Sequence, residues 1–278
     1  AELKQIAAKV GFENIVFQYE PIAAAFSHEV RVKGEKLACV VDIGGGTSDF
    51  TIIRLGEKLK DKTDRKDDIL ASTGVRIGGN DFDKNLCISS FMPALGMKTT
   101  YGEKNLPVPS SQYFDLAEWS KVNSVYSYQN RRTIRQVLAD AHDVKRYSRL
   151  QELIEKEKGH ELLGQVEDAK IALTDCEDNL QVLEFLDDKP QIMSTRRAFN
   201  EAIAENVAKT AAAVKKCLIE AQVRAEEINL IILTGGSTEI PYVQRQLCQI
   251  FPSAEISGEN KLSSVGLGLA YDSLRRFV

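Results

Sequence analysis

The sequence predicts an α/β protein whose sheet is interrupted by an inserted, mainly helical segment. Three observations predict it. Leu37-Ala38-Cys39-Val40-Val41 is continuously apolar, as in a strand buried on both faces, and Phe50-Thr51-Ile52-Ile53-Arg54-Leu55 is strongly β-prone. A second fully apolar strand, Leu230-Ile231-Ile232-Leu233, comes near the end of the chain. Between these strands, from about Met92, the sequence turns into a long run of charge-laced helices, so strands come early and late with helices interposed.

In chain order, residues 1–30 read as a helix, a short strand Ile15-Val16-Phe17, and a second helix beginning at Pro21, since proline suits a first helical turn. The first strand pair is joined by "DIGGGTSD", from Asp42 to Asp49. Gly44, Gly45 and Gly46 carry no Cβ, so phosphate oxygens can approach their backbone N–H groups closely. Asp42 and Asp49 bracket the turn, and a nucleotide phosphate held there would need a hard divalent cation such as Mg²⁺, taken by carboxylates directly or through ordered water. An ordinary glycine hairpin with two solvated aspartates is the competing reading.

The charged excursion "GEKLKDKTDRKDD" is most simply a solvated hairpin loop, and "TGVRIGGNDFDKNLCISSFM" reads as a turn followed by a helix with Asp81 near its start. Residues 93–113 are rich in Pro, Gly, Ser and Thr; helices follow to about Cys176, then strand-like "NLQVLEFLDD" and "QIMST". The expected division is therefore a core in two parts, 1–92 and 194–278, with a helical subdomain at 93–193 inserted between them. A long amphipathic helix starts near Ser194 or Thr195, either a suitable N-cap, and carries Phe199, Ile203, Val207, Val214 and Leu218 on one face. After the Leu230 strand, Thr234-Gly235-Gly236-Ser237 opens onto a helix with Val243, Leu247 and Ile250, the arrangement of an anion or nucleotide site. In the last helix the small residues Gly266, Gly268 and Ala270 permit close packing on a neighbour.

Composition narrows the class. At 278 residues and 43% hydrophobic content the chain can bury a substantial core, and a net charge of −4 gives no nucleic-acid footprint, Arg131-Arg132 reading as a solvated helix face. No apolar run is long enough to span a membrane and no secretory signal opens the chain. Five scattered cysteines without a Cys-x-x-Cys pair read as reduced, buried thiols of a cytoplasmic protein. His28, His142 and His160 share no metal-ligand spacing. The chain begins without Met, inside a helix-like stretch, as a fragment would.

Five ordered motifs carry a family resemblance. "DIGGGTSDF" resembles the Asp-x-Gly-Gly-Gly-Thr-x-Asp phosphate motif of the DnaK-type heat-shock chaperones of the actin-like ATPase superfamily. "YEPIAAAF" resembles their Asn-Glu-Pro-x-Ala-Ala-Ala, "IGGNDFD" their Gly-Gly-x-Asp-Phe-Asp, "LTGGSTEIP" their Gly-Gly-Ser-x-x-x-Pro, and "VEDAKIALT" the helix whose Glu and Lys hold the ribose. "RIGGNDFD" with "FMPALGM" and "AKIALT" is most similar to the YegD-like branch. The resemblance covers essentially the whole chain. It implies an actin-like, ribonuclease-H-like ATPase lobe, the second of two, whose partner lobe with the first phosphate loop and a hydrolytic Lys would precede Ala1. It also implies ATP or ADP with Mg²⁺ as cofactors and protein clients as partners, with neither nucleic acid nor membrane. By the resemblance to YegD-like proteins, no peptide-binding domain is expected after Val278.

By the same resemblance Asp42 would hold the Mg²⁺ water shell, and Asp49 would order cation or water. Gly44, Gly45, Gly46 and Thr47 would cradle phosphates, with Gly79 beside them. Glu20, with Pro21, would act in the active site and relay between lobes; a plain helix-start carboxylate is the alternative. Glu167, Lys170 and Thr174 share one helix face and would bind ribose, where spacing alone suggests a surface ion pair. Gly235, Gly236 and Ser237 would meet the adenosine, or form a structural strand-to-helix turn. Departures stand at Ile171 and Glu239, where the family has the arginines that sandwich adenine, and near Leu262, where it has an Asp. Loose base discrimination is therefore expected. The implied activity is attack of water on the γ-phosphate, coupled to lobe closure, in the whole protein and not in this chain alone. A nucleotide-sensing scaffold without useful hydrolysis is the alternative, and a sugar kinase fits the motifs less well.

Overall fold

The computed structural model describes residues 2–29, 31–60, 62, 64–257 and 263–277. Helices α1 (Glu2–Lys9) and α2 (Glu20–Glu29) lead into strands β1 (Glu35–Ile43), β2 (Ser48–Gly56) and β3 (Ile69–Val75), followed by helix α3 (Gly79–Leu86). A π-helical turn at Cys87–Phe91 and a 3-10 turn at Met92–Leu95 come next. The helical part contains a small hairpin, β4 (Thr100–Tyr101) and β5 (Leu106–Pro107), and helices α4 (Ser111–Leu116), α5 (Val122–Val125), α6 (Tyr128–Ala139), α7 (Val144–Glu155) and α8 (Gly159–Asp175). The hairpin β6 (Asp178–Val182) and β7 (Gln191–Thr195) returns the chain to the long helix α9 (Arg196–Ala221). Strand β8 (Leu230–Thr234), a 3-10 turn Gly236–Glu239, helix α10 (Pro241–Ile250), strand β9 (Glu255–Ser257) and helix α11 (Ser264–Phe277) complete the described fold.

Early and late strands meet in one five-stranded sheet of order β3-β2-β1-β8-β9, antiparallel on the β3-β2-β1 side and parallel on the β1-β8-β9 side. Side chains alternate between its two faces. Cys39, Val41, Ile43, Phe50, Ile52, Ile231 and Leu233 join the core formed with α3, α9 and the helical part. Ala38, Val40, Ile53, Leu55, Leu230 and Ile232 pack on the other face against Ile22, Ala24, Ala25 and Phe26 of α2. Central strands covered on both sides explain why β1 and β8 read as continuous apolar runs. Helix α9 buries the five residues of its predicted stripe, and Thr195 is its N-cap, accepting the Ala198 N–H at 3.1 Å.

The structure departs from expectation in four places. Ile15-Val16-Phe17 form no strand and pair with none among the described residues; Val16 and Phe17 are exposed. The charged excursion is not simply solvated: Arg65 and Asp68 are buried, and Arg65 makes two hydrogen bonds to Glu29 of α2, at 2.7 and 2.8 Å. Of the five free cysteines, Cys39, Cys87 and Cys217 are buried but Cys176 and Cys248 are exposed. In α11 only Gly268 makes the close approach, against Ala23 of α2, whereas Gly266 faces open space. Leu262 lies outside the described residues.

Candidate functional site

Parallel strands β1 and β8 end side by side, with Asp42 opposite Thr234, and both glycine turns leave the sheet at this edge. The β1-β2 register sets Asp42 opposite Asp49 and Ile43 opposite Ser48, so the turn comprises Gly44 to Thr47; it is closed by the Gly44 N–H donating to the Thr47 carbonyl at 3.0 Å. Two carboxylates opposite one another on one face repel. Glu20, at the start of α2, adds a third charge close enough to act on Asp42. Burial, then the Glu20 charge, then the Asp49 charge push the half-buried Asp42 carboxyl up to about 6. The Thr47 hydroxyl donates to Asp49 Oδ2 at 3.1 Å. Gly74, opposite Asp49 on β3, makes room for that carboxylate: a Cβ there would stand 2.6 Å from Asp49 Oδ1.

This strained carboxyl gives a pH prediction. Below about pH 3.8 Asp42 is neutral in folded and unfolded chains alike; between 3.8 and about 6 only the unfolded chain releases its proton. The folded state therefore holds the extra proton, and stability falls as pH rises through that window. The shift corresponds to at most about 3 kcal/mol. Asp42→Asn removes the penalty, so its unfolding free energy should exceed the wild-type value by about 2 to 3 kcal/mol above pH 7 and by little near pH 3.5. Urea melts at both pH values test this, and a difference that does not change with pH contradicts it.

The turn is clamped from behind by α3. Gly79 N–H donates to the Gly44 carbonyl at 2.9 Å and Asn80 N–H to the Gly45 carbonyl at 2.8 Å. Only glycine fits at position 78, where a Cβ would lie 2.6 Å from the Gly45 backbone. Asp81 caps the helix by accepting the Gly78 N–H at 2.9 Å. The amides of Gly45 and Gly46, at the exposed tip, take no backbone partner among the described residues.

The second turn approaches from β8. Gly235, at φ +84°, is required twice over: its φ disfavours side chains, and a Cβ would stand 2.3 Å from the Ile43 carbonyl oxygen and 3.0 Å from Asp42 Oδ1. The strand opens onto the 3-10 turn and not directly onto α10, which starts only at Pro241. Thr238 holds this turn by donating its hydroxyl to the Gly235 carbonyl at 2.7 Å.

A cleft of about 250 Å³ lies between the two turns and α8. Gly44, Gly45, Gly79, Gly236 and Ser237 line it from the turns and the start of α3, Glu167, Lys170, Ile171 and Thr174 line it from α8, and Asn80 and Ile240 complete the lining. Gly79 sits where a Cβ would stand 2.7 Å from Ser237 Oγ and 3.6 Å from Lys170 Nζ. The fold thus gathers the predicted residues into two groups: Asp42, Asp49, Thr47 and Glu20 on the α2 side of the glycine hairpin, and the cleft on its α3 and α8 side. Gly46 projects beyond both, and Gly235 lies between them. A wider depression of about 550 Å³, at the other end of β1 beside Glu35, Arg54 and Val223, contains none of these residues.

Lys170 pairs not with Glu167 but with Asp83 of α3, Nζ to Oδ2 at 2.8 Å, and both side chains are nearly buried. Burial raises the Asp83 carboxyl and Glu167 adds to the rise, while Lys170 opposes it. Asp83, Gly78, Gly74 and Asn80 are the site residues that sequence reasoning did not single out, although "IGGNDFD" contains three of them. The histidines go to separate places: His28 bonds Ser257, His142 bonds Thr100, and His160 packs on Trp119. Among the described residues no three His, Cys, Asp or Glu side chains stand close enough to share a metal ion directly. Asp42 and Asp49 still fit a hydrated divalent cation, because a positive charge beside these opposed carboxylates would relieve their repulsion.

The sequence profile described as "MreB/Mbl protein" matches residues 1–95, which include the first glycine turn, and that described as "Hsp70 protein" matches residues 133–273, which include α8 and the second turn. Similar relatives are chaperone proteins. The HscA homolog of Histophilus somni (strain 129Pt) is 26% identical over 268 residues, covering 96% of this chain and 33% of the relative. That of Pseudoalteromonas atlantica is 23% identical over 278 residues, covering 98% and 34%, and HscA of Enterobacter sp. (strain 638) is 26% identical over 275 residues, covering 98% and 34%. The chain spans about a third of the length of the curated relatives it matches. Its α/β sheet with two glycine turns is that of an actin-like ATPase, and with just over half of its length matched by the Hsp70 profile, this chain belongs to the Hsp70 family.

Proposed function

We propose that this chain is the second, nucleotide-binding lobe of a DnaK-like chaperone ATPase, with core parts 1–92 and 194–278 and an inserted subdomain at 93–193. The observation that carries the reading is the cleft in which Gly44, Gly45, Gly236 and Ser237 face Glu167, Lys170 and Thr174. Phosphates would lie over the free amides of Gly45 and Gly46, and the ribose along the α8 face. Asp42 and Asp49 would hold Mg²⁺ through ordered water. When bound, the cation supplies neutralisation of phosphate charge. Asp42, Thr47 and Glu20 would orient the water that attacks the γ-phosphate, and closure against the other lobe would exclude bulk solvent. Apolar Ile171 and Ile240 offer the base no charged partner, which supports weak selection between adenine and guanine. Chaperone clients, a cytoplasmic location and YegD-like kinship belong to the same reading.

In the full-length protein, Asp42→Asn should lower steady-state phosphate release by about a hundredfold or more, the scale of losing one preorganised electrostatic group, while ADP affinity changes only a few-fold. Wild-type turnover in that variant would make the hairpin structural. Wild-type protein that binds ADP yet releases phosphate no faster than a buffer blank would make the chain part of a nucleotide-sensing scaffold.

A further inference from the structure

Glu167 and Lys170 stand three residues apart on one face of α8, where opposite charges ordinarily pair with one another. They do not. Lys170 turns away and puts its ammonium on Asp83 Oδ2, 2.8 Å away on α3. Glu167 is left exposed at the cleft, with no hydrogen bond or ion pair among the described residues. The Asp83 side is costly: the residue is 7% exposed, and its second oxygen, Oδ1, is buried without a hydrogen-bond partner. A half-satisfied buried carboxylate is a poor way to hold two helices together. It is an effective way to hold an ammonium in one place.

We propose that Asp83 is a positioning residue for the nucleotide cleft: by capturing Lys170 it keeps the Glu167 carboxylate free to accept hydrogen bonds from a ribose, and sets the Lys170 ammonium beside Gly79 and Ser237. The proposal rests on the ribose role given to Glu167 above. Without Asp83, Glu167, three residues back on the same face of α8, is the carboxylate that helical spacing offers Lys170, and the resulting pair would withdraw both groups from the ligand. A structural role for the Asp83 pair would instead support all nucleotides equally, because it does not distinguish sugars.

The test uses Asp83→Leu, which keeps the side-chain size and removes both acceptors, and Asp83→Asn, which keeps one acceptor and carries the test if the leucine variant does not fold. Binding of ADP and of 2′,3′-dideoxy-ADP is measured by calorimetry on the full-length protein, and the nucleotide-free variant is crystallised. Wild type should prefer ADP over the dideoxy analogue by at least about tenfold, the scale of hydrogen bonds to a charged acceptor. In Asp83→Leu that ratio should fall to within about twofold, and Glu167→Gln added to it should lower the ratio no further. The crystal structure should show Lys170 Nζ on the Glu167 carboxylate. A variant that weakens both nucleotides equally while keeping the ratio, or that leaves Lys170 where it now lies, overturns the positioning role. A wild type with no sugar preference overturns the ribose assignment instead, and the Lys170 position in the nucleotide-free variant then decides the capture by Asp83 separately.

Discussion

Replacing Arg65 by methionine is expected to cost about 3 to 5 kcal/mol, enough to unfold a domain of ordinary stability under mild denaturant. The guanidinium donates to both oxygens of Glu29, to Asp68 and to the Arg54 carbonyl, and Glu29 also accepts the Gly56 N–H. Glu29 and Asp68 are 1% and 5% exposed, so removing Arg65 leaves two interior carboxylates with little water and only longer ionic contacts, Glu29 with Arg275 at 4.0 Å and Asp68 with Lys62 at 3.9 Å. Methionine keeps most of the aliphatic stem but not the guanidinium, which lies over the Phe26 ring at 5.1 Å, beside the Arg275 guanidinium at 4.4 Å from the same ring. The loss therefore reports charge and hydrogen bonds more than volume. Double replacement, Arg65→Met with Glu29→Gln, should recover part of it, because an amide costs less to bury than a carboxylate that has lost its closest partner. Urea unfolding at neutral pH measures both; a single-variant loss below about 1 kcal/mol would falsify the buried-network account.

Gly268→Ala should be comparably severe, at about 3 kcal/mol or more. A Cβ at this position of α11 would stand 1.6 Å from the Ala23 carbonyl oxygen and 2.4 Å from its carbon. Both are backbone atoms of α2, so no side-chain rotation relieves the overlap and the helices must separate. Separation uncovers Ala24, Ala25 and Phe26, the floor of one sheet face. Gly266→Ala, two residues earlier on the same helix and facing open space, is the control: it should be neutral or stabilising by up to about 1 kcal/mol through helix propensity. Equal melting temperatures for the two variants would show that the α2-α11 contact adjusts at no cost.

Local pattern carried much of this structure. An unbroken apolar run is readable as a strand covered on both faces, which is why β1 and β8 were recognisable, and the 3.6-residue period exposed the buried stripe of α9. Phosphate-type turns were legible because consecutive glycines have few other uses. Pairings across long sequence separations were not. Nothing in a charged loop marks Arg65 as the residue that finds Glu29 36 positions earlier, and the i, i+3 spacing on α8 pointed Lys170 to Glu167 when its partner is 87 positions away. Ile15-Val16-Phe17 has strand-forming residues, but a strand needs a neighbour, and propensity does not report one. The 3-10 turn after Gly235 escaped notice because glycine and proline signals mark a break without specifying its length.

The clamp between α3 and the first glycine turn determines which pole of the peptide groups the turn presents. Carbonyl oxygens of Gly44 and Gly45 are occupied by α3 amides and that of Thr47 by Gly44, so three of the turn's four acceptors are engaged, while the amides of Gly45 and Gly46 at the exposed tip have no backbone partner among the described residues. A polyanion approaching this lip meets unpartnered donors, with most of the competing acceptors already engaged. The loop can therefore be attractive to negative charge without a single cationic side chain, in a chain whose net charge is −4 and beside two aspartates. Selection for anions by subtraction of acceptors leaves the turn neutral, so its attraction should be short-ranged and little affected by salt, in contrast to a lysine cluster.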